Sequence, residues 1–183
     1  MKHTTYYPFY PYGERVWNIN TKVSGIRTDI LRAMLKQLTT MLNSHRKVFV
    51  FRFDLHTAIY TETNELITNF NRQLFKRIKS RYKINRIGFC WAREQEKSKQ
   101  QHYHYVLMLD GSKVNSCFVL QKWVKEIWGF NEGSVHWAGY HNLSRQDEEG
   151  IQKACYHISY LAKARGKGYR PLQTKDYSTS RIK

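Results

Sequence analysis

The chain has 183 residues, a length that fits one domain with a sizeable buried core. Lysine and arginine number 31 against 14 aspartate and glutamate residues, which gives a formal net charge of +17. A charge this large favours a polyanionic partner, and nucleic acid is the first candidate. An anionic membrane surface is the other candidate, but no apolar run approaches the roughly 20 residues that a spanning helix needs. We therefore expect no membrane partner.

Targeting and redox signals indicate a cytoplasmic protein. The N-terminus is rich in tyrosine and lacks the apolar core of a signal peptide. The three cysteines, Cys90, Cys117 and Cys155, are odd in number and lie within apolar patterns. Such cysteines are typical of reduced core thiols rather than of a disulfide framework, and the cytoplasm keeps thiols reduced.

The first third of the chain changes from an aperiodic segment to a helix and then to a strand. Residues 1–24 carry two of the three prolines and several aromatics, which predicts an irregular arm. The arm either packs its tyrosines on the domain or stacks them on the bases of a bound single strand. From Ile26 to Ser44, apolar residues recur at helical spacing. Residues 47–56 alternate with a period of two, which predicts a half-buried strand.

The remaining elements complete an α+β pattern. Their order is helix, strand, strand, helix, a short strand with a loop, and a long helix, over residues 64–82, 84–95, 102–111, 115–128, 133–141 and 144–165. The segment after the last helix, residues 166–183, is predicted to be a basic and mobile tail. The pattern predicts a single domain with an antiparallel sheet flanked by helices.

The main chemical signal is His102-Tyr103-His104 at the start of the third predicted strand. Because strand side chains alternate, both imidazoles project to one face and Tyr103 projects to the other. The two histidines are therefore candidate metal ligands, although one H-x-H among eight histidines is also expected by chance.

A carboxylate at the end of the preceding strand is the candidate third ligand. Glu94 is joined to His102 by a short polar turn, and Glu96 lies in the same turn as the alternative. We favour Glu94. Two histidines and one carboxylate leave coordination positions open, which suits Mg²⁺ or Mn²⁺ acting on a phosphate.

The second chemical signal lies in the last predicted helix, within CYHISYLAK. Tyr156, Tyr160 and Lys163 stand at i, i+4 and i+7, which places two phenols and an ammonium on one face of a regular helix. Tyrosines at this spacing also occur as packing residues, and the lysine also fits a solvated basic helix.

Three polar residues share one face of the first predicted strand, namely Arg52, Asp54 and His56. Asp54 could orient a ligand histidine, Arg52 could contact a phosphate, and His56 could assist. A simple salt bridge at the sheet edge is the alternative for this group.

These pieces together resemble the HUH endonucleases. Within that class, the chain is most similar to the inovirus gene-two-type replication proteins and to the related YagK/YfjJ C-terminal domain. The similarity covers about residues 46–165, and it rests on the segments FRFDLH, WAREQ, HYHYVLML and YHISYLAK.

The resemblance implies a Rep-type fold with RRM-like or palm-like architecture, with residues 25–165 as the endonuclease domain. It implies a divalent metal at His102, His104 and Glu94, and a tyrosine that becomes linked to a 5′-phosphate. Tyr160 and Lys163 match the Y-x-x-K motif, and Tyr156 matches the extra tyrosine of two-tyrosine members. The chain departs from those members at Ser159, where they often carry a lysine.

The expected function is the metal-dependent nicking and joining of single-stranded DNA at a replication origin or hairpin, as in rolling-circle initiation. The chain has no G-x-x-x-x-G-K-[ST] motif, so unwinding would need a separate host helicase. Two alternatives remain open. One is a non-catalytic module that binds single-stranded nucleic acid, and the other is a relaxase or transposase with the same chemistry.

Overall fold

A computed structural model of the chain describes residues 3–95, 100–130 and 133–182. The helices and strands of these residues, in chain order, are β1 (Thr4–Thr5), β2 (Phe9–Tyr12), β3 (Arg15–Asn18), β4 (Ile26–Arg27), α1 (Thr28–Ser44), β5 (Lys47–His56), α2 (Glu65–Tyr82), β6 (Gly88–Glu94), β7 (His102–Asp110), α3 (Phe118–Gly129), β8 (Ser134–Ser144), α4 (Glu148–Ile158), a 3₁₀ turn (Ser159–Ala162) and β9 (Tyr177–Thr179).

A five-stranded antiparallel sheet forms the centre of the fold, in the order β8-β5-β7-β6-β9. The central strand β7 pairs along its length with β5 and with β6. The predicted α+β fold with an antiparallel sheet flanked by helices is confirmed. The predicted bounds of the first two helices lie within two residues of those in the structure.

Alternation along β5 separates the two hydrophobic layers. Phe49, Phe51 and Phe53 pack into the layer that β5 shares with α2 and α3. Val48 and Val50 pack into the layer that it shares with α1 and α4. All five side chains are fully buried. Further along β5, the face that carries Val48 and Val50 continues with the polar residues Arg52, Asp54 and His56, which border the candidate site.

The edge strand β8 is longer than its sequence predicts. It extends over eleven residues instead of a short strand with a loop, and it pairs with the whole of β5. Its register shifts opposite Arg52 and Phe53, next to Gly139, whose φ is +117°. Most of its side chains are at least partly exposed, which is typical of an edge strand and explains the weak apolar pattern.

Much of residues 3–24 is ordered, which differs from the predicted irregular arm. Strands β2 and β3 form a hairpin, and β1 pairs with β4. Trp17 is fully buried and its indole Nε1 donates a hydrogen bond to the carbonyl of Tyr12 at 3.1 Å. The hairpin packs against α4 through Gln152, whose side chain bonds the backbone of Asn18 and Val16. Of the tyrosines in this segment, Tyr10 and Tyr12 pack partly buried against the core, whereas Tyr6 and Tyr7 are exposed.

Part of the C-terminal segment takes part in the sheet, which differs from the predicted tail. Strand β9 pairs with β6, and the backbone of Asp176 accepts a hydrogen bond from Arg93 at 2.7 Å. The Asp176 carboxylate forms a buried ion pair with Arg27 at 2.6 Å. Long-range partners such as these leave no periodic signal in the segment itself.

The described cysteines are free, with Cys90 and Cys155 buried and Cys117 half-buried. In the described residues, none of the helices combines the length and the apolar character that are needed to cross a membrane.

The first prediction concerns the N-terminal hairpin. Trp17→Ala should lower the free energy of unfolding by about 3–5 kcal/mol, because it leaves a cavity in the core. Urea unfolding followed by circular dichroism measures the change. Tyr7→Ala is the control, since Tyr7 is 78% exposed and its truncation should cost no more than about 0.5 kcal/mol. Equal stability of the two variants would contradict the role of the hairpin in the fold.

Candidate metal centre

Register in the three central strands brings the predicted ligands together. His102 pairs with Glu94 on β6 and with His56 on β5, and His104 pairs with Asp54 on β5. Because side chains alternate along each strand, these five residues share one face at the same end of the sheet. It is the face on which α1 and α4 pack.

Glu94, His102 and His104 form a partly buried group whose donor atoms converge. The Nε2 atom of His104 lies 3.1 Å from Oε2 of Glu94, and Nε2 of His102 lies 4.0 Å from Oε1. One donor atom from each residue lies within 4.8 Å of the others. Two imidazole nitrogens and a carboxylate oxygen at this spacing fit a divalent metal ion. The competing candidate Glu96 lies outside the described residues.

Asp54 lies against the second ring nitrogen of His104. Its Oδ1 atom lies 2.8 Å from Nδ1 of His104, on the side of the ring that faces away from Glu94. Nε2 faces the Glu94 carboxylate, and the Asp54 carboxylate favours a tautomer with the proton on Nδ1, in which the Nε2 lone pair is available to a metal. Carboxylates commonly hold metal-binding histidines in this way.

The electrostatics favour the ligand forms of Glu94 and His102. Burial alone would raise the pKa of Glu94, but the hydrogen bond with His104 and the charge of Lys167 lower it to about 2. Burial lowers the pKa of His102 to about 4, and the nearby charge of His104 acts in the same direction. At neutral pH the carboxylate is therefore ionised and the His102 imidazole is neutral, as metal binding requires.

Arg52 lies between Asp54 and the tyrosine motif. Its Nη2 atom lies 3.5 Å from Oδ2 of Asp54, so the salt bridge considered for this pair is present. Its guanidinium also lies 4.3 Å from the centre of the Tyr160 ring. His56 stacks on His102 at a centroid distance of 5.0 Å, and it is exposed at the end of β5.

Tyr160 lies directly beside the candidate ligands. Its ring meets that of His104 edge to face, with centroids 5.1 Å apart. Lys163 places its ammonium 4.9 Å from the same tyrosine ring, and it donates a hydrogen bond to the carbonyl of Lys22. Burial lowers the pKa of Lys163, and the charge of Arg52 lowers it further.

The predicted stripe of Tyr156, Tyr160 and Lys163 on one helix face is wrong. Helix α4 ends at Ile158 and continues as a 3₁₀ turn. Tyr156 instead lines a cavity of about 440 Å³ beside Pro8 and Phe9 of the N-terminal segment.

The end of α4 has a local cause at Ser159. Its hydroxyl donates to the carbonyl of Tyr156 at 2.8 Å and accepts a hydrogen bond from the backbone of Asn20 at 2.9 Å. A serine hydroxyl that bonds a carbonyl three residues earlier competes with regular helical hydrogen bonding.

The comparison with family models identifies the chain. The model of the YagK/YfjJ C-terminal domain matches residues 14–128, more than half of the sequence. The chain belongs to the YagK/YfjJ C-terminal domain family. Neither the comparison with curated proteins nor the comparison with solved structures found a significant match. The matched residues include Glu94, His102 and His104, and they end before Tyr160.

Two features of this YagK/YfjJ C-terminal domain were not predicted from its sequence. Lys167 places its ammonium 2.8 Å from Oε2 of Glu94. His141 and His157 form a second histidine pair, with Nε2 and Nδ1 2.9 Å apart. In both cases the partners come from separate elements, so no short motif contains the pair.

The second prediction concerns the contact between Asp54 and His104. Asp54→Asn should weaken Mn²⁺ binding by roughly tenfold or more, because the neutral amide holds the imidazole less strongly than the carboxylate does. Isothermal titration calorimetry of the DNA-free protein measures the affinity. The matched control is Asp110→Asn, which alters an aspartate beside His45 at the other end of the sheet. An equal loss in both variants would argue against an orienting role for Asp54.

Proposed function

We propose that the chain is an HUH-type nicking and joining enzyme for single-stranded DNA, with Tyr160 as the nucleophile. The observation that carries the proposal is the contact of Tyr160 with His104, which is itself one of the three convergent candidate ligands. A phenol beside two histidines and a carboxylate is the set of groups that metal-dependent phosphodiester transfer to tyrosine requires.

Glu94, His102 and His104 would hold the metal, and we propose Mg²⁺ or Mn²⁺. When bound, such an ion polarises a non-bridging oxygen of the scissile phosphate and stabilises the charge that develops there. The part of Asp54 is to keep the His104 ring in the orientation that presents Nε2.

The covalent step transfers the phosphate from one oxygen to another. The Tyr160 oxygen attacks phosphorus and loses its proton, the bond from phosphorus to the 3′ oxygen breaks, and that oxygen leaves as a 3′-hydroxyl after gaining a proton. The 5′-phosphate stays on the tyrosine. Joining is the reverse reaction with a new 3′-hydroxyl, so no nucleotide cofactor is consumed.

Two cations would assist this step. A phenol has an ordinary pKa near 10 and needs help to react as an anion at neutral pH. Arg52 and Lys163 both lie within 5 Å of the Tyr160 ring centre, where positive charge favours the phenolate and the phosphate. Each is already anchored, Arg52 to Asp54 and Lys163 to the carbonyl of Lys22.

The surface charge and the exposed aromatics support a single-stranded DNA substrate. The net charge of +17 suits the phosphate backbone, and exposed Tyr6, Tyr7 and Phe9 could stack on unpaired bases. We further propose that the biological role is rolling-circle initiation at an origin or hairpin in a bacterial cytoplasm, together with a host helicase. This part rests on the resemblance to replication proteins.

The third prediction concerns the metal. His104→Ala, or excess chelator with the unaltered protein, should abolish cleavage of an origin-derived single strand in Mn²⁺. Most DNA affinity should remain, because the basic surface contacts phosphates independently of the metal. His45→Ala is the control, since His45 lies at the far end of the sheet beside Asp110. Full cleavage by the His104 variant, or in chelator, would rule out the metal mechanism.

The fourth prediction concerns the nucleophile. Tyr160→Phe should stop formation of the covalent adduct without unfolding the protein, because it removes a hydroxyl and keeps the ring. Tyr156→Phe is the matched control and should spare initial nicking, because Tyr156 lines a separate cavity. Adducts are counted on denaturing gels and mapped by peptide mass spectrometry. Nucleotide on Tyr156 alone would reverse the assignment, and no adduct on either tyrosine would favour a non-catalytic binding module.

A further inference from the structure

A buried lysine shares the carboxylate of the candidate metal centre. Lys167 Nζ donates to Oε2 of Glu94 at 2.8 Å, and its side chain is 1% exposed. The same oxygen lies 3.1 Å from Nε2 of His104, whereas Oε1 is the atom nearer to His102. The ammonium therefore contacts one carboxylate oxygen and leaves the other toward His102.

The segment that carries Lys167 is built against Glu94. Its backbone is held on both sides, since Ala164 donates to the carbonyl of Gly25 and Gln95 donates to the carbonyl of Gly166, both at 2.8 Å. Gly166 has φ of +70°, and a Cβ on this residue would lie 2.3 Å from Cγ of Glu94. Only glycine fits there, so the loop backs directly on the carboxylate side chain.

We propose that Lys167 is a positioning residue for Glu94 and that it limits how tightly the site holds a divalent metal ion. The inference rests on the metal centre of the proposed function. Lys167 and the metal ion are both attracted to one carboxylate, and they repel each other. The lysine thus holds Glu94 in place and at the same time lowers the affinity of the site for the metal ion.

The two effects of Lys167 on metal affinity have opposite signs. A hydrogen bond that orients a ligand typically strengthens metal binding by about 10–100-fold. Repulsion between a single and a double positive charge a few ångströms apart, where water is largely excluded, is the larger effect. Removal of the Lys167 charge is therefore expected to tighten metal binding. A substitution that only damaged the structure would weaken it.

The test measures Mn²⁺ affinity of the DNA-free, full-length protein by isothermal titration calorimetry. Lys167→Met should bind Mn²⁺ about tenfold or more tightly than the unaltered chain, and Lys167→Arg should stay close to it. Lys175→Met is the matched control, because it removes a charge from an exposed lysine of the same segment. Unchanged or weaker binding by Lys167→Met would overturn the proposal, as would equal tightening in the control.

A pair of glycine variants tests the position of the loop separately. Gly166→Ala should weaken Mn²⁺ binding about tenfold or more, because the new methyl group displaces the Glu94 side chain. Gly168→Ala is the control for backbone strain, since Gly168 also has a positive φ, +93°, but has no atom within 4 Å of the added Cβ. Equal effects of the two substitutions would contradict the close approach of the loop to Glu94.

Failure of this inference can be distinguished from failure of the proposed function. If the expected Mn²⁺ affinities are found but no DNA adduct forms, the nuclease proposal fails and the role of Lys167 stands. If the unaltered protein binds no Mn²⁺, the inference about Lys167 fails together with the metal centre.

Discussion

The pairing register of β7 with its two neighbours is the constraint on which the candidate site depends. It aligns His104 with Asp54 on one side and His102 with Glu94 on the other. Because side chains alternate, a slip of one residue would turn the histidines into the aromatic layer beneath α2 and α3. The same slip would bring the polar side of the strand into the core, so the hydrophobic layers that stabilise the fold also hold the site in register.

Within that register, nitrogen-bearing side chains alternate with carboxylates through the site. A polar chain connects the tyrosine to the C-terminal segment, in the order Tyr160, Arg52, Asp54, His104, Glu94 and Lys167. Buried charges are costly unless each has a partner, and Asp54 and Glu94 each lie between two nitrogen-bearing side chains. A change at one end, such as loss of the Lys167 ammonium, therefore alters the balance at the histidines.

Backbone groups of the N-terminal segment hold the residues that follow α4. The backbone of Asn20 bonds the hydroxyl of Ser159, the carbonyl of Lys22 accepts from Lys163, and the carbonyl of Gly25 accepts from Ala164. These contacts hold the 3₁₀ turn that presents Tyr160 to His104. The N-terminal segment is consequently part of the apparatus that positions the tyrosine, in addition to any contact its exposed rings make with DNA.

The sequence alone determined the α+β class, the strand that carries His102 and His104, and Glu94 as their partner, because each follows from periodicity or from closeness along the chain. It also singled out Tyr160. Tertiary structure decided that Tyr156 does not share a helix face with Tyr160, and it decided the contact between Lys167 and Glu94. The Ser159 hydroxyl, just after the end of α4, accepts a hydrogen bond from Asn20, 139 positions away, and Lys167 is 73 positions from its carboxylate. Local sequence patterns do not predict such partners, because residues far apart along the chain come into contact only when the chain folds.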